Sequence, residues 1–598
     1  MLNIQELRKI KPSIIAIGSH KPIMQSMIDF DFLLKKEHPS VKAIIATGRK
    51  YERYFFGKDE FLIPVFDSVE KLPKDLKDNL NLFFNATSAR RAMQSSIELL
   101  ENIPSLLGGT IFAEDVSEQH SINLYRYINK QNKFIIGPAS VGLIIPGSFK
   151  IGAIGGTDYR QLIASSVMTQ GDVAVLSASG GMVNEIINIV KQQGKRLSFS
   201  LSFGGDRFPT LTPKEAFLAA EADSQTKYIV YYGELGGDDE YELAKLISDK
   251  QVTKKVICFI AGTVSELFEN PPQFGHAKAM AKTNNESARA KQEILKKSGC
   301  IVPVTFAEFV KAIKDLPSYT LQIEDKFSTM SEIMSNRKQA LITTSISNEI
   351  NGEASILGEN LLSFVQSRSF ASIVASMFLG KKSVSKELEA FVDLILRLAV
   401  DHGPYVSGAV NTIITARAGR DLVSSLSAGL LTIGPRFGGA VNQAASNWLR
   451  GEGQAKSPYD FVEEFAKKKI YIQGIGHKKY RVDFPDPRVH VLLEHAETLN
   501  NKRFTDFALK VQKITTSKKG NLILNVDGAI AAILLDILSE KENMPDDDLQ
   551  RLTEIEFFNA IFILSRSVGF ISHYLDQKRL DEGLFRLPED LAANVSID

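Results

Sequence analysis

Three segments in the second half of the chain join a histidine or an aspartate to glycine: Asp401-His402-Gly403-Pro404, Gly474-Ile475-Gly476-His477 and Asn525-Val526-Asp527-Gly528. Breaking a bond between a tertiary alcohol carbon and the α-carbon of a thioester needs a base for the hydroxyl proton, donors for the developing enolate and cations for carboxylates. Two histidines, an aspartate and arginines suit that task as a set, whereas each one alone is commonly a helix cap or a packing residue. In the first half, His276 sits in Pro272-Gln273-Phe274-Gly275-His276-Ala277-Lys278-Ala279. A neutral imidazole there can take up a phosphoryl group and pass it on. Ser179, ahead of Gly180 and Gly181, is placed to cap a helix whose free N–H groups hold an anion.

These residues need elements to carry them. From Ser13 to about Pro317, short β-branched runs alternate with amphipathic stretches, the pattern of parallel sheets covered by helices. Strands are predicted at Ile14-Ile17, Val41-Ala46, Phe134-Ile136, Val173-Ser177, Tyr228-Tyr232 and Val256-Ile260. Ligands of open α/β sheets sit at the carboxyl ends of such strands. The unit beginning Ser13-Ile14-Ile15-Ala16-Ile17-Gly18 is Rossmann-like but lacks GxGxxG, so it does not by itself predict a dinucleotide. After a polar connector near Ile323 to Asn348, helical periodicity takes over with almost no strand signal. Leu388, Phe391, Val392, Ile395 and Leu398 form one helical stripe, and Ala529 to Leu538 reads as a buried helix.

Bulk composition narrows the function classes. With 71 basic against 70 acidic residues, no net field favours nucleic acid or an anionic membrane surface. The two cysteines, Cys258 and Cys300, form no CxxC pair and no metal-type cluster, which predicts a reducing, cytoplasmic compartment, no disulfides and no bound structural metal. No uncharged stretch reaches the roughly 20 residues of a membrane helix, and the N-terminus lacks the apolar block of a signal peptide.

Several motifs occur together in the first half: Gly137-Pro138-Ala139-Ser140-Val141-Gly142, Ser179-Gly180-Gly181, Gly233-Glu234-Leu235-Gly236-Gly237 and Gln273-Phe274-Gly275-His276-Ala277. This set resembles the α subunit of succinyl-CoA synthetase and the matching region of the ATP-citrate lyase family. The resemblance implies that His276 is the phosphocarrier, that Glu234 and Glu114 orient its imidazole, and that Ser179, Gly180 and Gly181 grip the anion. It also implies that Ser88 and Arg90, in Asn85-Ala86-Thr87-Ser88-Ala89-Arg90, contact the nucleotide part of coenzyme A. Ala178 departs from the arginine usual in that family.

The second half resembles the citrate-synthase superfamily, and most specifically the ATP-citrate lyases. The carriers are Asp401-His402-Gly403-Pro404, Ala416-Arg417-Ala418-Gly419, Arg436-Phe437-Gly438-Gly439-Ala440 and His573-Tyr574-Leu575-Asp576-Gln577. By this resemblance Asp527 is the acid-base carboxylate, and His402 and His477 bind substrate hydroxyl or carbonyl oxygens. Arg488 and Arg566 clamp citrate carboxylates as bidentate partners, and Lys518 and Lys519 meet CoA phosphates. Phe437 stands where true citrate synthases carry a catalytic histidine, which agrees with a lyase, and Lys478 replaces a family arginine.

The expected architecture is thus a Rossmann-like CoA-binding domain over 1–145, a flavodoxin-like ligase domain over 146–322 and an all-α citrate synthase-like domain over 323–598. The resemblance implies conversion of citrate, CoA and ATP to acetyl-CoA, oxaloacetate, ADP and phosphate through phosphohistidine, citryl phosphate and citryl-CoA. It further implies an ATP-grasp partner subunit that binds ATP and Mg2+, self-association through the helical domain, and a hetero-octamer of four plus four. The alternatives are a ligase and lyase acting on malate or methylcitrate, and a non-catalytic scaffold for the partner.

Overall fold

The computed structural model describes residues 2–131, 133–268, 279–281, 283–317, 327–350, 352–434, 439–454 and 456–595. Two compact units divide between Leu341 and Ile342.

In the first unit, strands buried on both faces build the centres of two sheets, because continuous apolar runs are stable only with helices covering each side. The first sheet contains β1 (Ile14–Ile17), β2 (Val41–Ile45), β3 (Tyr51–Phe56), β4 (Asp59–Phe66), β5 (Leu82–Asn85), β6 (Gly108–Ile111) and β7 (Phe134–Ile136), in the order β3-β4-β2-β1-β5-β6-β7. All its pairings are parallel except the β3–β4 hairpin, which pairs Phe56 with Asp59. The second sheet contains β8 (Gly142–Ile145), β9 (Phe149–Ile151), β10 (Val173–Ser177), β11 (Leu197–Ser202), β12 (Tyr228–Glu234) and β13 (Lys255–Ala261), in the order β13-β12-β10-β11-β8-β9. Its parallel part ends at β11, and β8 and β9 add an antiparallel edge. Two helices place candidate residues at strand ends: α1 (Ala89–Asn102) after β5 and α2 (Gly180–Gln192) after β10. Residues 327–341 pack on this unit, with Met334 buried and Arg337 donating to the Gly57 carbonyl at 2.9 Å.

The second unit is helical, and its relevant elements are α3 (Lys386–Leu398), α4 (Ser407–Arg417), α5 (Leu422–Leu430), α6 (Ala440–Gly453), α7 (Pro487–Ala496), α8 (Arg503–Lys518), α9 (Val526–Glu540) and α10 (Phe557–Arg579). Its core is α9, where every residue from Gly528 to Leu538 is buried. Each fully buried Ile or Leu of such a helix contributes roughly 1.5–3 kcal/mol, so α9 is the element against which the others are placed. Leu388, Phe391, Val392 and Ile395 of α3 have no exposed surface, as the stripe predicts. Asp536, inside α9, accepts from the N–H groups of Phe504 at 2.9 Å and Thr505 at 3.0 Å, satisfying the start of α8. One element differs from the sequence reading: an antiparallel sheet of β14 (Ser347–Ile350), β15 (Glu353–Ile356) and β16 (Glu359–Asn360) opens the unit. In its central strand only Ser355 is buried, so it carries no apolar alternation for a sequence reading to detect. Among the described residues, no single helix is long and apolar enough to cross a membrane.

Trp448 of α6 ties the core together. It is fully buried, and its indole N–H donates to the Gly528 carbonyl at 3.0 Å. Trp448→Phe should lower the unfolding free energy of the second unit by roughly 2–3 kcal/mol, from a lost hydrogen bond plus a cavity. Urea unfolding followed by circular dichroism measures this, and a loss below about 0.5 kcal/mol would show that the indole does not anchor α9.

Candidate active site

In the second unit, glycine makes the site by letting two backbones touch. Gly474 has φ +97°, and its Cα lies against Gly528 so closely that a Cβ on Gly528 would run into the Gly474 carbonyl oxygen. The two segments are then sewn together. Asn525 N–H donates to the Gly474 carbonyl at 3.0 Å, Gly476 N–H to Ile523 at 2.7 Å and His477 N–H to Asn521 at 3.0 Å, and the Asn525 side-chain amide reaches the Gly476 carbonyl at 3.0 Å. Asn525 also caps α9 by accepting from Gly528 N–H. His477 and Asp527, fifty positions apart, are thereby fixed to one seam.

The other groups come from α7, α10 and the loop after α3. Asp486 caps α7, accepts from Arg488 N–H at 3.0 Å and forms a fork with the Arg488 side chain, 3.1 Å to Nε and 2.7 Å to Nη2. The remaining nitrogen, Nη1 of Arg488, lies 3.1 Å from His402 Nδ1. Arginine can only donate, so His402 Nδ1 accepts, which in the neutral ring leaves the proton on Nε2. His477 reaches the same state by another route, since its Nδ1 accepts from the backbone N–H groups of Lys479 and Tyr480, both at 3.0 Å. Burial lowers the pKa of both imidazoles; the positive charges of Arg488 and Arg566 add to the effect at His402, while at His477 Asp486 opposes it. Both rings are therefore neutral Nε2–H donors.

Asp527 is the counterpart. Burial pushes its carboxyl up to about 6, with Arg488 and Arg566 pulling the other way. It is the group in this cluster whose proton is exchangeable near neutral pH. Arg566 of α10 is only 3% exposed, and its Nε and Nη1 have no hydrogen-bond partner among the described residues. A buried guanidinium of this kind fits a carboxylate of a bound substrate. Asp401 is held below its ordinary value: partial burial works against ionisation, but the N–H groups of Gly403 and His402 and the His573 ring outweigh it. The sequence reading gave no individual role to Asp486, Asp401 or His573, although Asp401 and His573 stand in motifs that carry the resemblance. Asp486 before Pro487 carries a helix-start signal that places it two residues from Arg488, whereas the meeting of Asp401 with His573 spans 172 residues and leaves no local trace.

In the first unit, Ser179 caps α2 by accepting from Met182 N–H at 3.3 Å. Gly180 packs against Val141, which leaves no space for a Cβ, while Gly181 faces open space. Glu234 ends β12, beside β10 and its Ser177, so Glu234 and the Ser179-Gly181 turn lie along one carboxyl edge of the sheet. The buried Lys291 steadies that edge, donating to the Glu234 carbonyl at 2.9 Å while paired with Glu240. Glu114 is exposed in the loop after β6 of the other sheet. Ser88 stands at the N-cap of α1 without a capping bond, and both it and Arg90 are exposed. Lys518 is ion-paired with Glu463 at 2.6 Å, and Lys519 is exposed next to it. His276 and Phe437 lie outside the described residues. Among the described residues, no group of three His, Cys, Asp or Glu side chains could hold a metal ion.

Comparison with known proteins agrees with both halves. Residues 176–301 match the CoA-ligase family, and residues 305–587 match the C-terminal domain of citrate synthase. Fold and site thus define an α/β acyl-CoA ligase region followed by a helical citrate synthase-type enzyme domain. The chain belongs to the ATP-citrate synthase family. It is 38% identical to ATP-citrate synthase beta chain protein 1 of Oryza sativa, over 94% of this chain and 95% of that one. It is 37% identical to ATP-citrate synthase of Homo sapiens over 96% of this chain, which spans 54% of the human protein. The solved structure of ATP citrate lyase from Methanothrix soehngenii, in complex with citrate and coenzyme A, is 33% identical with a TM-score of 0.50, covering 98% of each chain. The Methanosaeta concilii enzyme, solved with (3S)-citryl-CoA, gives the same values.

The raised pKa of Asp527 has a consequence for stability. The folded chain holds this proton more tightly than the unfolded chain does, so the stabilisation is fully present below the ordinary value of 3.8 and is lost as pH rises through about 6. Asp527→Asn should therefore be more stable than the parent by on the order of 2 kcal/mol at pH 8 and lose that advantage by about pH 4. Urea midpoints across that range decide the matter; equal midpoints at pH 8 would show that the carboxylate is not desolvated.

Proposed function

We propose that this chain is the carbon-carbon-cleaving subunit of an ATP-citrate lyase, converting citrate, CoA and ATP to acetyl-CoA, oxaloacetate, ADP and phosphate. The observation that carries the cleavage half is Asp527, a desolvated carboxylate with pKa about 6, set among two arginines and two neutral Nε2–H imidazoles. Ionised Asp527 takes the proton of the citryl-CoA tertiary hydroxyl, the C–O bond becomes a carbonyl, and the adjacent carbon-carbon bond breaks. Its electron pair passes to the thioester α-carbon as an enolate, and the proton on Asp527 then returns to that carbon, giving acetyl-CoA and oxaloacetate. The Nε2–H groups of His402 and His477 donate to the hydroxyl and thioester oxygens, where charge develops. Arg566 and Arg488 hold carboxylates.

The ligase half follows from the resemblance of the His276 motif. His276 receives phosphate from ATP, Glu234 and Glu114 orient it, and the phosphate passes to citrate held at Ser179, Gly180 and Gly181. The acyl phosphate is then attacked by the CoA thiol, phosphate leaving, and Ser88 and Arg90 contact the nucleotide part of that CoA; in the helical half, Lys519 and, once its pair with Glu463 opens, Lys518 meet CoA phosphates. The open side of Gly181 and the place of Gly180 and Gly181 at the start of α2 support the anion grip. ATP and Mg2+ belong to an ATP-grasp partner subunit, and we assign magnesium to no residue of this chain. Exposed apolar side chains on α5, just after it and on α10, namely Val423, Leu431 and Val568, support self-association of the helical domain within a four-plus-four hetero-octamer. Both thiols are free, in keeping with a cytoplasmic enzyme.

With the partner, labelled ATP and citrate, His276→Ala should lose phosphorylation yet still cleave supplied citryl-CoA. Asp527→Ala should keep phosphorylation and lose cleavage by about 10³-fold or more, and parent cleavage should fall as pH drops through about 6. Identical behaviour of the two variants would refute the division of labour; faster turnover of malyl-CoA than citryl-CoA would redirect the substrate, and no turnover of either would leave a scaffold.

A further inference from the structure

We infer that His573, which touches none of the groups assigned to substrate, is a positioning residue: through Asp401 it seats the loop bearing His402 on α10, the helix that also carries Arg566. The inference rests on the reading of this site as a citryl-CoA-cleaving centre.

One stripe of α10 does the seating. Ser565, Gly569 and His573 are four residues apart and so share a helix face. Each meets the last turn of α3 or the segment that leaves it. Ser565 Oγ donates to the Leu396 carbonyl at 2.7 Å, Gly569 packs so tightly that a Cβ there would run into the Val400 carbonyl, and His573 Nε2 lies 3.2 Å from Asp401 Oδ1. The chain from Leu396 to Asp401 is thus laid along the helix at three successive points.

Asp401 passes this register on. Its second oxygen, Oδ2, accepts from Gly403 N–H at 3.0 Å, an Asx turn that closes around His402. Gly403 adopts φ +93° with the Tyr405 ring against it, so the turn has little freedom to shift. From the other side, Arg488, itself held by the Asp486 fork, contacts the His402 ring. His402 is therefore held at its backbone by α10 and at its ring by α7. Arg566 follows Ser565 directly, so one rigid helix sets the spacing between the carboxylate-binding arginine and an oxygen-binding imidazole. The titratable or charged side chains facing Asp401 are His573 and Arg566.

The test uses the contact atom. Glutamine places an amide N–H where imidazole carries Nε2, whereas leucine offers none. With supplied citryl-CoA and the full chain, His573→Leu should lower kcat about 10- to 100-fold with KM little changed, and His573→Gln should recover to within about 3-fold of the parent. Asp401→Ala combined with His573→Leu should be no worse than Asp401→Ala alone. In 15N-histidine NMR, the His402 resonance, assigned with His402→Gln, should move in His573→Leu and return in His573→Gln. Failure of Gln to rescue, additive losses, or an unmoved His402 resonance would overturn the inference. A parent that turns over no citryl-CoA would instead sink the functional reading, leaving the NMR comparison to judge the seating alone.

Discussion

The second-unit site depends on a backbone-to-backbone contact that only glycine permits. Where Gly474 meets Gly528, two chain segments approach within van der Waals contact and then exchange hydrogen bonds from Gly474 to His477 and from Asn521 to Asn525. A side chain at Gly528 would force the segments apart and carry His477 away from Asp527. The seam leans on α9, whose nearly continuous burial makes it the least movable part of the unit, so precision at the site is borrowed from the core.

Electrostatics then divides the labour. Three groups in this cluster, His402, His477 and Asp527, could in principle handle protons, but the two imidazoles are committed as donors because arginine and backbone N–H groups occupy their Nδ1 atoms. That leaves Asp527, whose burial and arginine neighbours pull in opposite directions. The guanidinium of Arg488 serves three acceptor atoms on two residues at once through its planar array of donors, a task that the point charge of a lysine cannot perform.

Much of this was legible in the sequence, for identifiable reasons. β1, β10 and β12 are apolar runs buried on both faces, and α3 repeats its apolar residues at helical spacing, so local pattern and tertiary environment agree. The β14–β16 sheet escaped because its central strand buries no apolar side chain, and the β3–β4 hairpin because only Tyr54, Ile63 and Val65 among its many apolar residues are buried, so its pattern does not mark which face is inside. At the site, His402, His477 and Asp527 stood out through their flanking glycines, which positive φ and close approach require. The partners that orient them did not, since Asp401 meets His573 only after the whole helical fold has closed. Sequence resemblance supplied the roles of His276 and Phe437; both lie outside the described residues.

The indole of Trp448 bonds to the carbonyl of Gly528, the residue after Asp527, and tryptophan occurs nowhere else in the chain. The molecule thus carries its single indole next to the desolvated carboxylate of Asp527. Its emission is an unlabelled optical readout of events at that seam, with no second indole to dilute the signal.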